Sequence, residues 1–149
     1  ARMNTAPILR GCLLALSLLV TTLPAWSEPP APGWEKVVFH LDESRNARWA
    51  LMLARSYLED SPQAKVVFVT FGPGVDFLLL GAADKRGNSY DAAVLNLAEK
   101  GVEFRVCNAT LGARGIDKEE LLDGVRVVPS GISEIARLQL QEGYAYLKP

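Results

Sequence analysis

Lys65-Val-Val-Phe-Val-Thr-Phe71 is the stretch that decides the fold. It is a continuous apolar run, rich in β-branched and aromatic residues, with Ser61-Pro62 before it and Gly72-Pro73-Gly74 after it. A strand with one wet face alternates apolar and polar residues; a strand covered on both faces, as in a parallel sheet, does not. Upstream, Lys36-Val-Val-Phe-His-Leu41 is a second, shorter run of the same kind. Between the two, Ala47, Ala50, Leu51, Ala54 and Leu58 recur near helical spacing, which predicts a helix over Arg45 to Leu58 with Asp42-Glu43-Ser44 as its cap.

The alternation continues downstream. Val75 to Gly81 is apolar and reads either as a short helix or as an edge extension, and Ala82 to Asn88 is a polar loop. Ser89 to Lys100 is an amphipathic helix ended by Gly101. Val102 to Cys107 is a third strand, followed by the polar turn Asn108-Ala109-Thr110-Leu111. Asp117 to Leu122 reads as a short helix and Gly124 to Val128 as a fourth strand closed by Pro129. Ser130 or Ser133 caps a helix through Ile135 to Gln141, Gly143 stops it, and Tyr144 to Leu147 is a last edge strand. This order predicts an α/β three-layer sandwich with a mostly parallel sheet and helices on both faces.

Composition agrees. A chain of 149 residues, 49% apolar and 22% charged, can build one domain around a real core. The net charge of −1 gives no reason to expect a nucleic-acid or anionic-membrane partner.

The N-terminal region differs from the rest. A short basic stretch from Met3 to Arg10 precedes an apolar core from Gly11 to Val20, then Thr21-Thr-Leu-Pro-Ala-Trp-Ser27. That order reads as a secretory signal peptide over residues 1–27, cleaved after Ala25 or Ser27. The apolar core falls short of the roughly 20 residues of a comfortable membrane span, so an uncleaved anchor is the weaker alternative. Residues 28–34, which open with Glu-Pro-Pro-Ala-Pro-Gly, are a stiff linker. The expected domain is then 35–149, in the periplasm, with no membrane contact after cleavage.

Cleavage removes Cys12 and leaves Cys107 as the one remaining cysteine. A lone thiol in an oxidising compartment is buried and inert, paired between chains, or kept as a reactive group. Its position favours use as much as burial. If the strands run parallel, their C-terminal ends share one edge, where open α/β sheets bind ligands. That edge collects Leu41-Asp42-Glu43-Ser44, Thr70-Phe71-Gly72, Cys107-Asn108-Ala109-Thr110 and Pro129-Ser130-Gly131. Cys107 is the candidate sulfur nucleophile or carrier, activated by backbone N–H groups and helix N-termini. Asn108, Thr110, Gly72, Gly74, Asp42 and Ser130 are the candidate ligand contacts.

Other chemistry finds little support. His40 is interior to the first strand and reads as a core or interface histidine. Arg105 shares a strand face with Cys107, where it could hold an anionic sulfur species, but it reads first as a solvated edge charge. One cysteine and one histidine cannot build a structural zinc site within a chain. Gly72-Pro73-Gly74 lacks the spacing and the Lys-Ser/Thr of a phosphate loop. No cofactor is expected.

Three segments together resemble the DsrE/DsrF-like family of sulfur-relay proteins, in its small single-domain branch. They are Gly72-Pro-Gly-Val-Asp-Phe-Leu-Leu79, Leu97-Ala-Glu-Lys-Gly-Val-Glu-Phe-Arg-Val-Cys-Asn-Ala-Thr-Leu111, and the stretch from Val127 to Pro149. The resemblance runs from about Lys36 to Pro149. It implies a flavodoxin-like sandwich that assembles as a trimer or hexamer, with a strand-end cysteine that falls on Cys107. It also implies sulfur carried as a cysteine persulfide between donor and acceptor proteins. The alternative is a small-ligand-binding or structural oligomeric module in which Cys107 is unreactive.

Overall fold

The computed structural model of the protein describes residues 35–149, so the expected signal peptide and the linker lie outside the described residues. Five strands form one sheet: β1 (Lys36–Leu41), β2 (Lys65–Thr70), β3 (Glu103–Cys107), β4 (Arg126–Val128) and β5 (Ala145–Leu147). Their order is β4-β3-β2-β1-β5, and every neighbouring pair is parallel.

Four α-helices link them: α1 (Ala47–Asp60), α2 (Asp91–Glu99), α3 (Asn108–Arg114) and α4 (Gly131–Glu142). Alternation of side chains along the strands then divides the interior into two cores. On one face Val37, Phe39, Leu41, Val66, Phe68, Phe104 and Val106 pack against α1 and α2. Phe39, Phe68 and Phe104 stand in register across three strands, with successive ring centroids 5.0 Å apart. Offset-stacked rings of this kind contribute about 0.5–1.5 kcal/mol per pair beyond their buried area. On the other face Val38, Val67 and Val69 meet Ile135 and Leu138 of α4 and Tyr144 just beyond its end. The result is a flavodoxin-like α/β sandwich.

Helix α4 sets the topology. It takes the chain from β4 at one edge, back across β3, β2 and β1, to β5 at the other edge. Its N-terminus therefore lies over the C-terminal end of the sheet, beside β3.

Two expectations need correction, and two short helical segments take a definite form. The segment after Cys107 is no polar turn: α3 begins at Asn108, directly on the strand end, and ends at the left-handed Gly115. Helix α1 begins at Ala47 after a 3₁₀ turn over Ser44–Asn46, and Ser44 does not cap it. Instead the Ser44 hydroxyl donates to the Pro73 carbonyl (2.5 Å) and accepts from the Phe77 N–H (3.2 Å). The ambiguous run after β2 is a 3₁₀ turn over Gly72–Leu78. The short helix expected at Asp117 to Leu122 is a 3₁₀ turn over Lys118–Glu120, closed by a capping box between Asp117 and Glu120.

Candidate functional site

Cys107 is the last residue of β3 and the N-cap of α3. Its side chain points to the α4 face of the sheet and is 6% exposed. Burial by itself raises a thiol pKa, because it penalises the anion. Here the surroundings outweigh that penalty and hold Cys107 below the ordinary thiol range. The groups responsible are the backbone N–H of Gly131, the backbone N–H and hydroxyl of Thr110, and the backbone N–H of Ala109. Gly131 opens α4 and the other two open α3, so two helix N-termini converge on one sulfur.

Each part of this arrangement has a local cause. A strand that passes straight into a helix leaves its last side chain beside the first free N–H groups of that helix. Thr110 Oγ1 accepts from the Gly72 N–H at 3.0 Å, which leaves the hydroxyl proton available to the sulfur. Gly72 is fixed in turn by Arg114, which donates to its carbonyl at 3.1 Å and pairs with Asp76 at 2.6 Å. On the other side, Ser130 caps α4 by accepting from the Ser133 N–H at 3.3 Å. Gly131 permits the close approach of α4. A Cβ there would stand 2.9 Å from Phe71 Cδ1 and 3.3 Å from Cys107 Cβ.

The expected residues thus separate. Thr110 faces the sulfur, Gly72 supports Thr110, and Ser130 immediately precedes the Gly131 amide. Asn108 is exposed, and the N–H that reaches the sulfur belongs to Ala109. Gly74 serves packing, since a Cβ there would lie 2.1 Å from the Leu41 carbonyl oxygen. Asp42 lies at the end of β1, two strands or about 10 Å from β3, and pairs with Lys148 at 2.5 Å. That bond to Lys148 holds the Asp42 carboxyl below its usual range despite partial desolvation.

Sequence reasoning put Phe71, Ala109 and Gly131 at this edge without naming them as contacts, and the structure gives Ala109 and Gly131 amides that reach the sulfur. The available signal was Gly131 directly after a Ser cap, where an absent side chain allows close contact.

Arg105 corrects another expectation. It is not solvated: it is 5% exposed, donates to Glu103 (2.7 Å), and also pairs with Glu134 of α4. Its charge is engaged by these two carboxylates. His40 is buried as expected. It stacks on Phe71 at 4.4 Å between centroids and shares a 2.6 Å hydrogen bond between Nδ1 and the Tyr146 hydroxyl. Among the described residues no group of three or more His, Cys, Asp or Glu could hold a metal ion, and no helix is long and apolar enough to cross a membrane.

The family model described as DsrE/DsrF-like matches residues 36–149. The chain belongs to the DsrE/DsrF-like family. Membership points to sulfur relay at the level of the family. Among solved structures, this DsrE/DsrF-like chain is similar to MTH1491 of Methanobacterium thermoautotrophicum, a protein of unknown function. The two share 36% identity over 77% of this chain and 99% of that one, with a TM-score of 0.67. The fold is also that of the ychN protein of E. coli, at 21% identity over 77% of this chain and 99% of that one, TM-score 0.66. BT1422 of Bacteroides thetaiotaomicron shares it too, at 16% identity over 81% and 100%, TM-score 0.56. No curated protein matches the chain.

Proposed function

We propose that this DsrE/DsrF-like protein is an exported sulfur carrier that takes sulfane sulfur onto Cys107 as a persulfide and passes it on. The observation that carries this reading is the set of N–H groups from α3 and α4 around the Cys107 sulfur. They favour the thiolate, which is the attacking form. In the loading step, that thiolate attacks the outer sulfur of a donor persulfide, R–S–S⁻. A new S–S bond forms on Cys107 while the donor S–S bond breaks, and R–S⁻ leaves with the bonding electron pair. The step needs no outside oxidant or reductant and no proton transfer, so the lack of a general base at Cys107 fits a carrier. The same N–H groups then stabilise the terminal anion of the Cys107 persulfide.

Export to the periplasm is part of the proposal and is supported by the sequence from Met3 to Ser27. So is a homo-oligomer, supported by Ile132 and Leu140 on α4, which are 69% and 86% exposed.

Intact-mass analysis after incubation with polysulfide tests the function. The expected result is a gain of about 32 Da per sulfur, reversed by dithiothreitol and absent from Cys107→Ser. The burial of Cys107 favours one other reading, a thiol kept for packing. No adduct, together with a thiol inert to iodoacetamide until the protein unfolds, would overturn the carrier and establish that second reading.

A further inference from the structure

The face of the sheet opposite Cys107 carries a feature that sulfur chemistry does not use. An open groove of about 530 Å³ runs between α1 and α2. Past Arg48 and Met52 it continues into a hollow of about 480 Å³ beside the loop of Asp84 to Arg86. Leu51, Ala93 and Leu97 give it an apolar lining. Trp49 and Met52, also on its walls, are 54% and 51% exposed.

Its rims are cationic. Arg55 and Lys100 border the first hollow, Arg45, Lys85 and Arg86 the second, and Arg48 borders both. Asp84 is the one acid among these lining residues, and Arg48 already holds it at 3.2 Å. Arg48 belongs to the wall, lying 4.6 Å from the Tyr90 ring centre, and Arg55 is shared with Glu59 at 3.0 Å. Arg45, Lys85, Arg86 and Lys100 have no ion-pair partner among the described residues. In a chain of net charge −1, this is segregation of charge rather than a reflection of composition.

The shape selects the occupant. A groove between helices, with an apolar lining and charged rims, receives the apolar face of an amphipathic helix. The rims require acidic flanks. An anionic bilayer is too flat to follow the concavity, and a small amphiphile would stay half in water where binding pockets enclose most of a ligand. A second copy docked groove to groove would oppose like charges. We propose that the α1–α2 groove docks an acidic amphipathic helix of a partner protein.

The test is fluorescence anisotropy of a labelled synthetic helix of about 18 residues, long enough to be helical in water. It carries leucines along one face and glutamates in its first and last turns. The expected result is saturable binding that weakens with salt and falls at least about tenfold in Lys85→Glu/Lys100→Glu at unchanged melting temperature. Absence of binding overturns the proposal, as does equal binding of a sequence-scrambled peptide or of the charge-reversed protein. Binding of phosphatidylglycerol vesicles without binding of the helix assigns the groove to a membrane and also overturns it. Self-association that is lost in Met52→Glu, read by sedimentation velocity, assigns the groove to a second copy and does the same. Cys107→Ser is expected to bind the helix normally, so failure here leaves the sulfur reading intact.

Discussion

Arg105 and Glu134 form an ion pair on the α4 face of the sheet that ties the strand ending in Cys107 to the helix beginning at Gly131. Arg105 lies two residues before the thiol and Glu134 three residues after the amide that faces it. The pair is one link in a longer chain. Arg105 also binds Glu103, while Arg137 binds Glu134 at 2.8 Å and Glu142 at 2.5 Å. Hydrogen bonds from Arg137, then Arg105, hold the Glu134 carboxyl below its ordinary range despite its burial. Its central pair, Arg105 with Glu134, is largely buried, and such a pair adds little net stability but fixes the distance between the two elements it joins.

Arg105→Met removes that fixation. The variant leaves Glu134 buried with Arg137 as its remaining partner, so it costs about 3 kcal/mol, the low end for a broken buried pair. The decisive readout is the Cys107 pKa, followed by thiolate ultraviolet absorbance against pH. It rises toward the ordinary thiol value as α4 loses its hold, and Arg105→Lys recovers part of the shift. A pKa identical to wild type would mean that the pair serves stability alone.

Gly131→Ala acts on the same distance from the other side. The added methyl meets Phe71 at 2.9 Å and Cys107 Cβ at 3.3 Å, so the start of α4 moves outward. The expected cost is about 1 to 2 kcal/mol in chemical denaturation, typical of overpacking. The alkylation rate of Cys107 at fixed pH falls as the Gly131 amide withdraws.

Thr110→Val keeps the shape of the side chain and deletes its hydroxyl. The Gly72 N–H loses its acceptor and the sulfur loses a donor, at about 1 kcal/mol for the backbone bond. Iodoacetamide reactivity against pH shifts to a higher midpoint. Thr110→Ser restores the wild-type midpoint, and equal profiles for the Val and Ser variants would exclude a role for the hydroxyl.

His40 gives stability a pH dependence. Burial lowers its pKa below 6.5, against the attraction of Asp42 and with help from Lys148. Tyr146 and Phe71 complete its surroundings. The unfolded chain therefore binds a proton that the folded one resists. Stability is full above about pH 6.5 and declines as pH falls toward the lowered folded value. Thermal melts between about pH 7 and 5 should show the decline, and His40→Gln should remove the histidine part of it.

The elements easiest to read were those whose neighbours are local or uniform. The apolar run Lys65 to Phe71 announced a strand covered on both faces, and β2 is central with a core on each side. The spacing of Ala47, Ala50, Leu51, Ala54 and Leu58 named the buried face of α1 residue by residue. Helix α3 escaped because it has seven residues, one of them buried, and no turn residue separates it from β3. Periodicity needs a longer window than that. Asp42 was expected at the site because it follows a strand. Its partner Lys148 follows β5, and no local pattern says that β5 lies beside β1. Arg105 was misread for a related reason, since the helix that covers it is the crossover to β5. At the thiol itself, the contributing groups are mostly backbone amides, and side-chain chemistry gives no notice of where amides converge.

The route of α4 also sets when the thiol acquires its character during folding. Tyr146 reaches His40 across 106 residues of chain, so the sheet closes through its longest-range contacts. Closures of that span are the slow ones. Until α4 is laid across the sheet, Cys107 has only the amides of α3 beside it and behaves as a more ordinary, sluggish thiol. Under the proposed export, a translocating chain carries its cysteine in a subdued form through the stages when stray disulfides are most damaging. In the proposed carrier the group that takes up sulfur is completed only with the fold, and the acidity of Cys107 is a measure of whether the segment from Gly131 onward has arrived.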